Sequence, residues 1–318
     1  RPGRLIRSAP GPGPTRPGPA PDPGDHVEKF VALAFSGLTE GAVIALAAVG
    51  LLVLYKATSV INFAHGDLIT LGAYLGVWLV DENSWPYLLA VPACLAVMGV
   101  VGVGFERVAV APLRGRSVHV VVIATLGLAL TLRTLIAIWQ GSDPQRLTSP
   151  VQDSVSDILG AAINHHRFLV VGVAAAVLVT ISLVFARTSV GRQVRALAAD
   201  RDMARLVGVR ASSLSMGSFA VSAMLAGLAG LLIAPLSSVS LTLGFGVMLN
   251  AFAAMIIGGF GSLTGVALAA LLIGFIERLL GGYVLTDYSS GLPFAFMIIA
   301  IAIRPEGLFG AREHASRL

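Results

Sequence analysis

Long apolar stretches separated by short polar loops run through the chain after residue 29. The apolar segments fall at about 30–54, 68–80, 87–105, 118–139, 168–186, 212–234, 247–261, 264–282 and 292–303. Several reach the ~20 residues that cross a ~30 Å hydrocarbon core as a helix, whereas 68–80, 247–261 and 292–303 are short. The pattern predicts an all-α polytopic membrane protein with about eight transmembrane helices plus broken or re-entrant segments.

Composition supports this prediction and divides the chain. Of the 318 residues, 56% are hydrophobic, which is above the range usual for soluble domains. Residues 1–29 are rich in Pro, Gly and Arg, so we expect a disordered tail that cannot bury enough apolar surface to fold. Residues 30–310 are predicted to form the transmembrane domain, and 311–318 a cytoplasmic C-terminal tail.

The basic residues flank apolar segments, so we attribute the net charge of +5 to cytosolic loops rather than to nucleic-acid binding. Loops 106–117 and 187–211 are rich in Arg and are placed inside, while loops 81–86, 140–167 and 283–291 are placed outside. The tail lies outside if 68–80 spans the membrane, and inside if 62–80 is re-entrant or broken. The polar start of this segment, at 62–67, favours the second alternative.

One loop concentrates charge to an unusual degree. Residues 187–210 contain six Arg and two Asp between two apolar segments, which indicates a surface for a soluble partner. We expect 195–209 to form a short cytoplasmic helix parallel to the membrane. Its small residues are Ala196, Ala199, Ala204 and Gly208, and its polar contacts would come from Arg195, Asp200, Arg201, Asp202 and Arg205.

Ionisable and amide side chains at membrane depth are candidates for a translocation pathway, because burying them in lipid is costly. The candidates are Glu40, Asn62, His65, Asp67 and Asn250. Asn62, His65 and Asp67 precede a short apolar run, which predicts a discontinuous helix, and a weaker echo at 250–262 hints at an internal repeat.

Structural roles compete with these functional ones. Asp67 could instead cap a helix N-terminus, and the glycines of 258–261 could serve close helix packing. We expect Arg133 to pair with a carbonyl or carboxylate, and Glu277 and Arg278 to extend toward the membrane surface.

The sequence also excludes several chemistries. Neither lysine lies in a Gly-rich phosphate loop, and no zinc-protease or serine-hydrolase motif is present. A single cysteine gives no disulfide framework, and we expect no cofactor and no metal site. An intramembrane enzyme would need a nucleophile–base or metal constellation that the sequence lacks.

Four segments resemble the permease subunits of bacterial branched-chain amino acid ABC importers. They are GLTEGAVIALAAVGL at 37–51 with INFAHGD at 61–67 and LGAY at 71–74, RALAADRDMARLVGV at 195–209, AGLAG at 226–230 with MIIGGFGSLTGV at 255–266, and RPEGLFG at 304–310. They cover about 33–310 in the expected order. The chain departs from the family in having Asp67 where Glu is common, and in its N-terminal tail.

The resemblance implies a transport subunit in the bacterial cytoplasmic (inner) membrane rather than an enzyme. It implies a second, usually non-identical permease, two cytoplasmic ATP-binding subunits, and an extracytoplasmic substrate-binding protein. The segment 195–209 matches the family's coupling loop. Branched-chain amino acids, other amino acids, amides and urea stay open as substrates.

An autonomous ion-coupled carrier or channel is the alternative, with Glu40 and Asp67 as coupling carboxylates. Such a carrier would not need the charged loop at 187–210.

Overall fold

A computed structural model describes residues 23–113, 115–151, 154–284 and a few positions between 291 and 302. These residues form ten α-helices with defined bounds, one hairpin of two strands, and short π- or 3-10-helical turns at Trp78–Glu82, Glu106–Val110, Ala111–Leu113 and Ala234–Leu236. The helices are α1 Pro23–Thr58, α2 His65–Val77, α3 Tyr87–Phe105, α4 Val118–Gln140, α5 His165–Arg187, α6 Ser189–Ala199, α7 Arg201–Leu206, α8 Ala211–Ile233, α9 Leu243–Gly258 and α10 Leu263–Tyr283; the strands are β1 Val155–Ile158 and β2 Ala161–Asn164.

The all-α polytopic fold is confirmed. Within the described ranges, six helices are long and apolar enough to cross a membrane: α1, α3, α4, α5, α8 and α10. About eight transmembrane helices were predicted. The described residues contain six helices of spanning length and two shorter apolar helices, α2 and α9. The antiparallel hairpin of β1 and β2 in loop 140–167 was not predicted.

The two short helices meet at their N-termini. A Cβ placed on Gly244, near the start of α9, would lie 1.9 Å from the carbonyl oxygen of Gly66, near the start of α2. The Gly244 N–H also donates to Thr70 Oγ1 at 3.1 Å. Non-helical chain precedes each helix, at 59–64 and 237–242. The two broken segments suggested by the sequence are therefore present, and they cross each other, which was not predicted.

Glycine allows the central helices to approach each other closely. A Cβ on Gly72 of α2 would lie 2.3 Å from Gly227 Cα of α8, and one on Gly230 would lie 2.0 Å from the Ile69 carbonyl oxygen. Gly258 packs in the same way against Val266, which supports the packing interpretation of that glycine. The middle of α1, from Ala42 to Leu54, is buried against this group.

The contacts of α1 identify the two ends of the bundle. At its C-terminal end, the Ala57 carbonyl accepts from Arg201 of α7 at 3.0 Å, and Lys56 Nζ donates to the Gly261 carbonyl at 2.7 Å. At its N-terminal end, the His26 carbonyl accepts from Tyr283 of α10. We call the end with the Arg-rich loop the inner end, since positive charge is expected on the cytoplasmic side, and the start of α1 lies at the opposite, outer end.

The segment after α1 is broken as predicted, and a broken segment was expected to put the N-terminal side inside. Non-helical chain at 59–64 followed by α2 nevertheless leads from the inner end to the outer end, where Asp81 accepts from the Thr148 N–H at 3.1 Å. The described start of α1 therefore lies at the end opposite the Arg-rich loop, while residues 1–22 are outside the described residues. Helix α1 also starts at Pro23, inside the segment predicted to be disordered. Most of the segment 292–303 is outside the described residues. The whole of 304–310 and of the C-terminal tail 311–318 is also outside them.

Candidate translocation pathway and coupling surface

Asn62 and His65 are buried at the break before α2. Asn62 Oδ1 accepts from the Ala64 N–H at 3.0 Å, and the Asn62 carbonyl accepts from the His65 N–H at 3.2 Å. His65 lies between α1 and α8, where Nε2 is 3.1 Å from the Ala47 carbonyl and Nδ1 is 3.3 Å from Ser222 Oγ. A carbonyl can only accept, so Nε2 carries the proton and Nδ1 accepts from Ser222. These polar groups hold the broken segment in place.

Asp67 forms an ion pair with Arg133 across α2 and α4. Arg133 Nε donates to Asp67 Oδ1 at 2.8 Å, and the Asp67 side chain is only 4% exposed. Arg133 therefore has the carboxylate partner expected from the sequence. Asp67 lies in the first turn of α2, and Ala64 is the residue at the cap position. The side chain of Asp67 serves the ion pair rather than a helix cap.

Glu40 and Asn250 line a different feature, a cavity of about 490 Å³ near the outer end of α1, α9 and α10. Glu40 accepts from Arg278 Nε, and Asn250 Nδ2 donates to Glu277 Oε2 at 3.0 Å. A smaller adjoining cavity adds Arg167, whose guanidinium donates to Ser36 Oγ. We call these two cavities together the outer vestibule.

The vestibule changes the interpretation of two residues. Glu277 and Arg278 were expected to extend to the membrane surface, but they turn toward Asn250 and Glu40. Close contact of α1 and α10 causes this: a Cβ on Gly274 would lie 2.3 Å from the Gly41 nitrogen. Of the five pathway candidates, the structure brings Glu40 and Asn250 together here and places Asn62, His65 and Asp67 in helix packing. Contact of any of them with a substrate stays a prediction.

The coupling segment forms two short helices instead of one. Asp200 ends α6 and caps α7, because its Oδ1 accepts from the backbone N–H groups of Asp202 and Met203 at 2.9 and 3.0 Å. An Asp at this position satisfies N–H groups that have no partner within the helix. The sequence suggested a continuous helix over 195–209, and it is this cap that divides it.

Gly208 ends α7 in a Schellman motif. The Val209 N–H donates to the Ala204 carbonyl and the Gly208 N–H to the Arg205 carbonyl, each at 3.0 Å. Gly208 has a φ of +85°, a conformation that favours glycine. A Cβ at Gly208 would meet no atom within 4 Å. The glycine is therefore required for its backbone conformation rather than for a close contact.

Several of the charged candidates in this segment contact the chain itself. Arg195 donates to the Phe185 carbonyl, Arg201 to the Ala57 carbonyl, and Arg205 lies 3.6 Å from Asp202. Ala199 is exposed at the end of α6. From the sequence, these charged and small residues were expected to form the contact surface.

An apolar patch that the sequence analysis missed lies on the other side of α7. Met203, Leu206 and Val207 are 63%, 80% and 78% exposed. Their spacing of three and four residues puts them on one helical face, apart from Arg201 and Arg205. This spacing is present in the sequence, where the apolar residues alternate with charged ones. We call these three residues the α7 apolar patch.

Comparison with known proteins identifies the family. The profile of the family described as "Branched-chain amino acid transport system / permease component" matches residues 33–301. The chain belongs to this family. The permease family comprises transport subunits, and this member is a multi-pass membrane protein with six spanning helices in the part of the chain described.

Individual relatives agree with this assignment. The chain is 27% identical over 297 residues to the high-affinity branched-chain amino acid transport system permease protein LivH of Salmonella typhimurium, covering 89% of this chain and 96% of that protein. It is 28% identical over 302 residues to BraD of Pseudomonas aeruginosa, covering 91% and 98%. The ribose import permease protein RbsC of Haemophilus influenzae is 27% identical over 267 residues, covering 80% and 78%.

A solved structure supports the fold. The structure titled "PsaBC from Streptococcus pneumoniae in complex with Fab" aligns with a TM-score of 0.50 at 15% identity, covering 89% of this chain and 96% of that one. At this level of identity, the likeness concerns the arrangement of helices alone.

Proposed function

We propose that this permease conducts branched-chain amino acids across the bacterial cytoplasmic membrane as one half of a permease pair. The match of residues 33–301 to the family carries the proposal, because the relatives named for branched-chain amino acid transport align over nearly their whole length. Two cytoplasmic ATP-binding subunits would supply the energy and an extracytoplasmic binding protein would deliver the substrate.

Uptake in cells tests this function. A strain that expresses the chain with its partner permease, ATPases and binding protein should take up radiolabelled leucine, and the same strain without the chain should not. Uptake of ribose but not leucine would instead favour the sugar permeases, to which the chain is also similar. Leucine uptake by the chain expressed alone would support an autonomous carrier.

The α7 apolar patch is proposed as the contact with the ATPase. Exposed apolar side chains on a short helix at the cytoplasmic face are costly in water, and burying a Leu side chain contributes about 1.5–3 kcal/mol. Asp200 and Gly208 would support this contact by fixing the start and end of α7. In this proposal the charged residues Arg195, Arg201, Asp202 and Arg205 position the coupling helices or surround the patch, and the apolar residues supply the binding energy.

Substitution of Leu206 by Glu tests the contact. The side chain is exposed, so the variant should fold, while ATPase subunits should copurify about 10- to 100-fold more weakly. Leu159→Glu is the matched control, because Leu159 is 73% exposed but lies in the hairpin at the opposite face. Unchanged copurification with Leu206→Glu would contradict the proposed contact.

The outer vestibule is proposed as the outer part of the pathway, with Glu40 and Asn250 in its wall. Lys56, sixteen residues after Glu40 in the same helix, contacts the inner end of the bundle. At 1.5 Å per residue, Glu40 is therefore about 24 Å from that end, close to the outer edge of the hydrocarbon core. A substrate released by an extracytoplasmic partner would meet this cavity first.

A further inference from the structure

The outer vestibule contains ionic groups of both signs. Glu40 of α1 and Glu277 of α10 supply carboxyl groups, and Arg278 of α10 and Arg167 of α5 supply guanidinium groups. Asn250 of α9 adds an amide. These groups come from four helices, so the fold brings two carboxyl and two guanidinium groups to the two adjoining cavities at the outer end of the protein.

Most of the remaining wall of the larger cavity is apolar. Six aliphatic side chains of α1, α8 and α9 line it, namely Val43, Ile44, Ile233, Leu243, Val247 and Leu249, together with Gly246 and with Ser237 from the segment before α9. The cavity therefore offers both charges at one part of its wall and branched aliphatic side chains at another. An amino acid with an aliphatic side chain has this same division between a zwitterionic head group and an apolar tail.

One ion pair and hydrogen bonds to neutral groups hold these side chains. Glu40 pairs with Arg278, and Glu277 accepts from Asn250 at 3.0 Å. A zwitterion could separate Glu40 from Arg278 and take the place of each partner, so that neither charge is left without an opposite one. Glu40 is the more buried of the two, with a side chain 21% exposed against 51% for Arg278, and the exchange spares its carboxylate the cost of losing its partner. The net affinity stays low, which suits a site that must release its ligand.

We infer that the outer vestibule is a binding site for the zwitterionic head group of an aliphatic α-amino acid, with Arg278 and Arg167 facing its carboxylate and Glu40 and Glu277 facing its ammonium group. This inference rests on the proposed transport function and adds the substrate-contacting groups. The site forms by exchange, because the Glu40–Arg278 ion pair lines the empty vestibule and separates to receive the ligand.

Three variants test the site in proteoliposomes that contain the whole importer and its binding protein, with leucine as the probe. The variant Glu40→Gln/Arg278→Gln keeps two side chains of similar size that can hydrogen-bond to each other. It should retain its thermal midpoint and its copurification with the ATPase subunits, while leucine uptake falls about tenfold, the loss of roughly one charge-assisted hydrogen bond. Glu277→Gln can keep its contact with Asn250, and it is the second test should the double variant fold poorly. It should also lower leucine uptake.

The charge exchange Glu40→Arg/Arg278→Glu separates substrate recognition from a structural ion pair. It should restore folded yield relative to Arg278→Gln alone, but should not restore leucine uptake, because the two charges then face the wrong ends of the ligand. Lys29→Gln is the control, since Lys29 is also a cation at the outer end of α1 but contacts the Tyr283 ring instead of the vestibule.

Wild-type uptake in the charge-exchanged or doubly neutral variant would overturn the inference while leaving the transport function standing. Absence of leucine uptake by the unaltered importer would overturn the proposed function, and the inference with it.

Discussion

The buried ion pair between α2 and α4 gives an asymmetric prediction for stability. Asp67 is 4% exposed and Arg133 is 32% exposed, with 2.8 Å between Arg133 Nε and Asp67 Oδ1. Replacing Arg133 by Met leaves a buried carboxylate without its cation, which should cost about 3–5 kcal/mol. Replacing Asp67 by Asn keeps an acceptor oxygen for Arg133, whose long side chain is open on one side, so we expect a cost of only about 1 kcal/mol.

The double variant Asp67→Leu/Arg133→Met completes the comparison. It removes both charges and fills the space with apolar atoms, so its stability should be close to that of the native protein or above it. Unfolding by SDS in detergent micelles, followed by circular dichroism, measures all of these differences. A doubly substituted protein that loses the sum of the single costs would refute the reasoning, as would an Asn variant less stable than the Met variant.

The same variants test the alternative that Asp67 couples transport to an ion. A coupling carboxylate must bind and release a cation or proton, so Asp67→Asn would abolish uptake at unchanged stability. In the present account Asp67 has a structural partner, and the Asn variant should keep most of the ATP-driven uptake wherever the protein stays folded.

Two further predictions concern glycines. Gly244→Ala should strongly reduce the yield of folded protein, because its Cβ would lie 1.9 Å from the Gly66 carbonyl oxygen. Gly246→Ala in the same helix is the control, because its Cβ meets no atom within 4 Å and its yield should be kept. Equal yields of the two variants in size-exclusion chromatography would contradict the crossing of α2 and α9. Gly208→Ala should destabilise the end of α7 by about 1 kcal/mol and lower uptake per ATP hydrolysed, because φ is +85° there. Gly217→Ala is the control, since a Cβ at Gly217 also meets no atom within 4 Å. Equal uptake per ATP hydrolysed in the two variants would show that the Schellman motif is dispensable.

Much of the architecture could be predicted from the sequence because lipid imposes a simple rule. A helix must be apolar over about twenty residues to cross the membrane, and the apolar runs therefore located α3, α4, α5, α8 and α10 closely. The polar run at 61–67 similarly indicated the break before α2. The gap between the apolar runs at 212–234 and 247–261, which holds Pro235 and several serines, likewise corresponds to the non-helical chain before α9.

The polar sites were harder to predict because they depend on pairs of distant helices. Glu277 and Arg278 looked like residues at a membrane surface until the contact of α1 with α10 placed Arg278 against Glu40. Gly37 and Gly41, spaced four apart, were a sequence signal for this close approach, but they do not reveal which helix is the partner. The division of the coupling segment was in principle readable, since Asp200 is a favourable helix cap and Gly208 a favourable helix end.

The central claim is that this permease forms an ATP-driven pathway for branched-chain amino acids, and reconstitution of the complete importer tests it most directly. Proteoliposomes with the binding protein and substrate on one side and ATP on the other should accumulate leucine, isoleucine and valine against a gradient, and should not accumulate ribose. Accumulation that persists without ATP, or that favours ribose over leucine, would contradict the account.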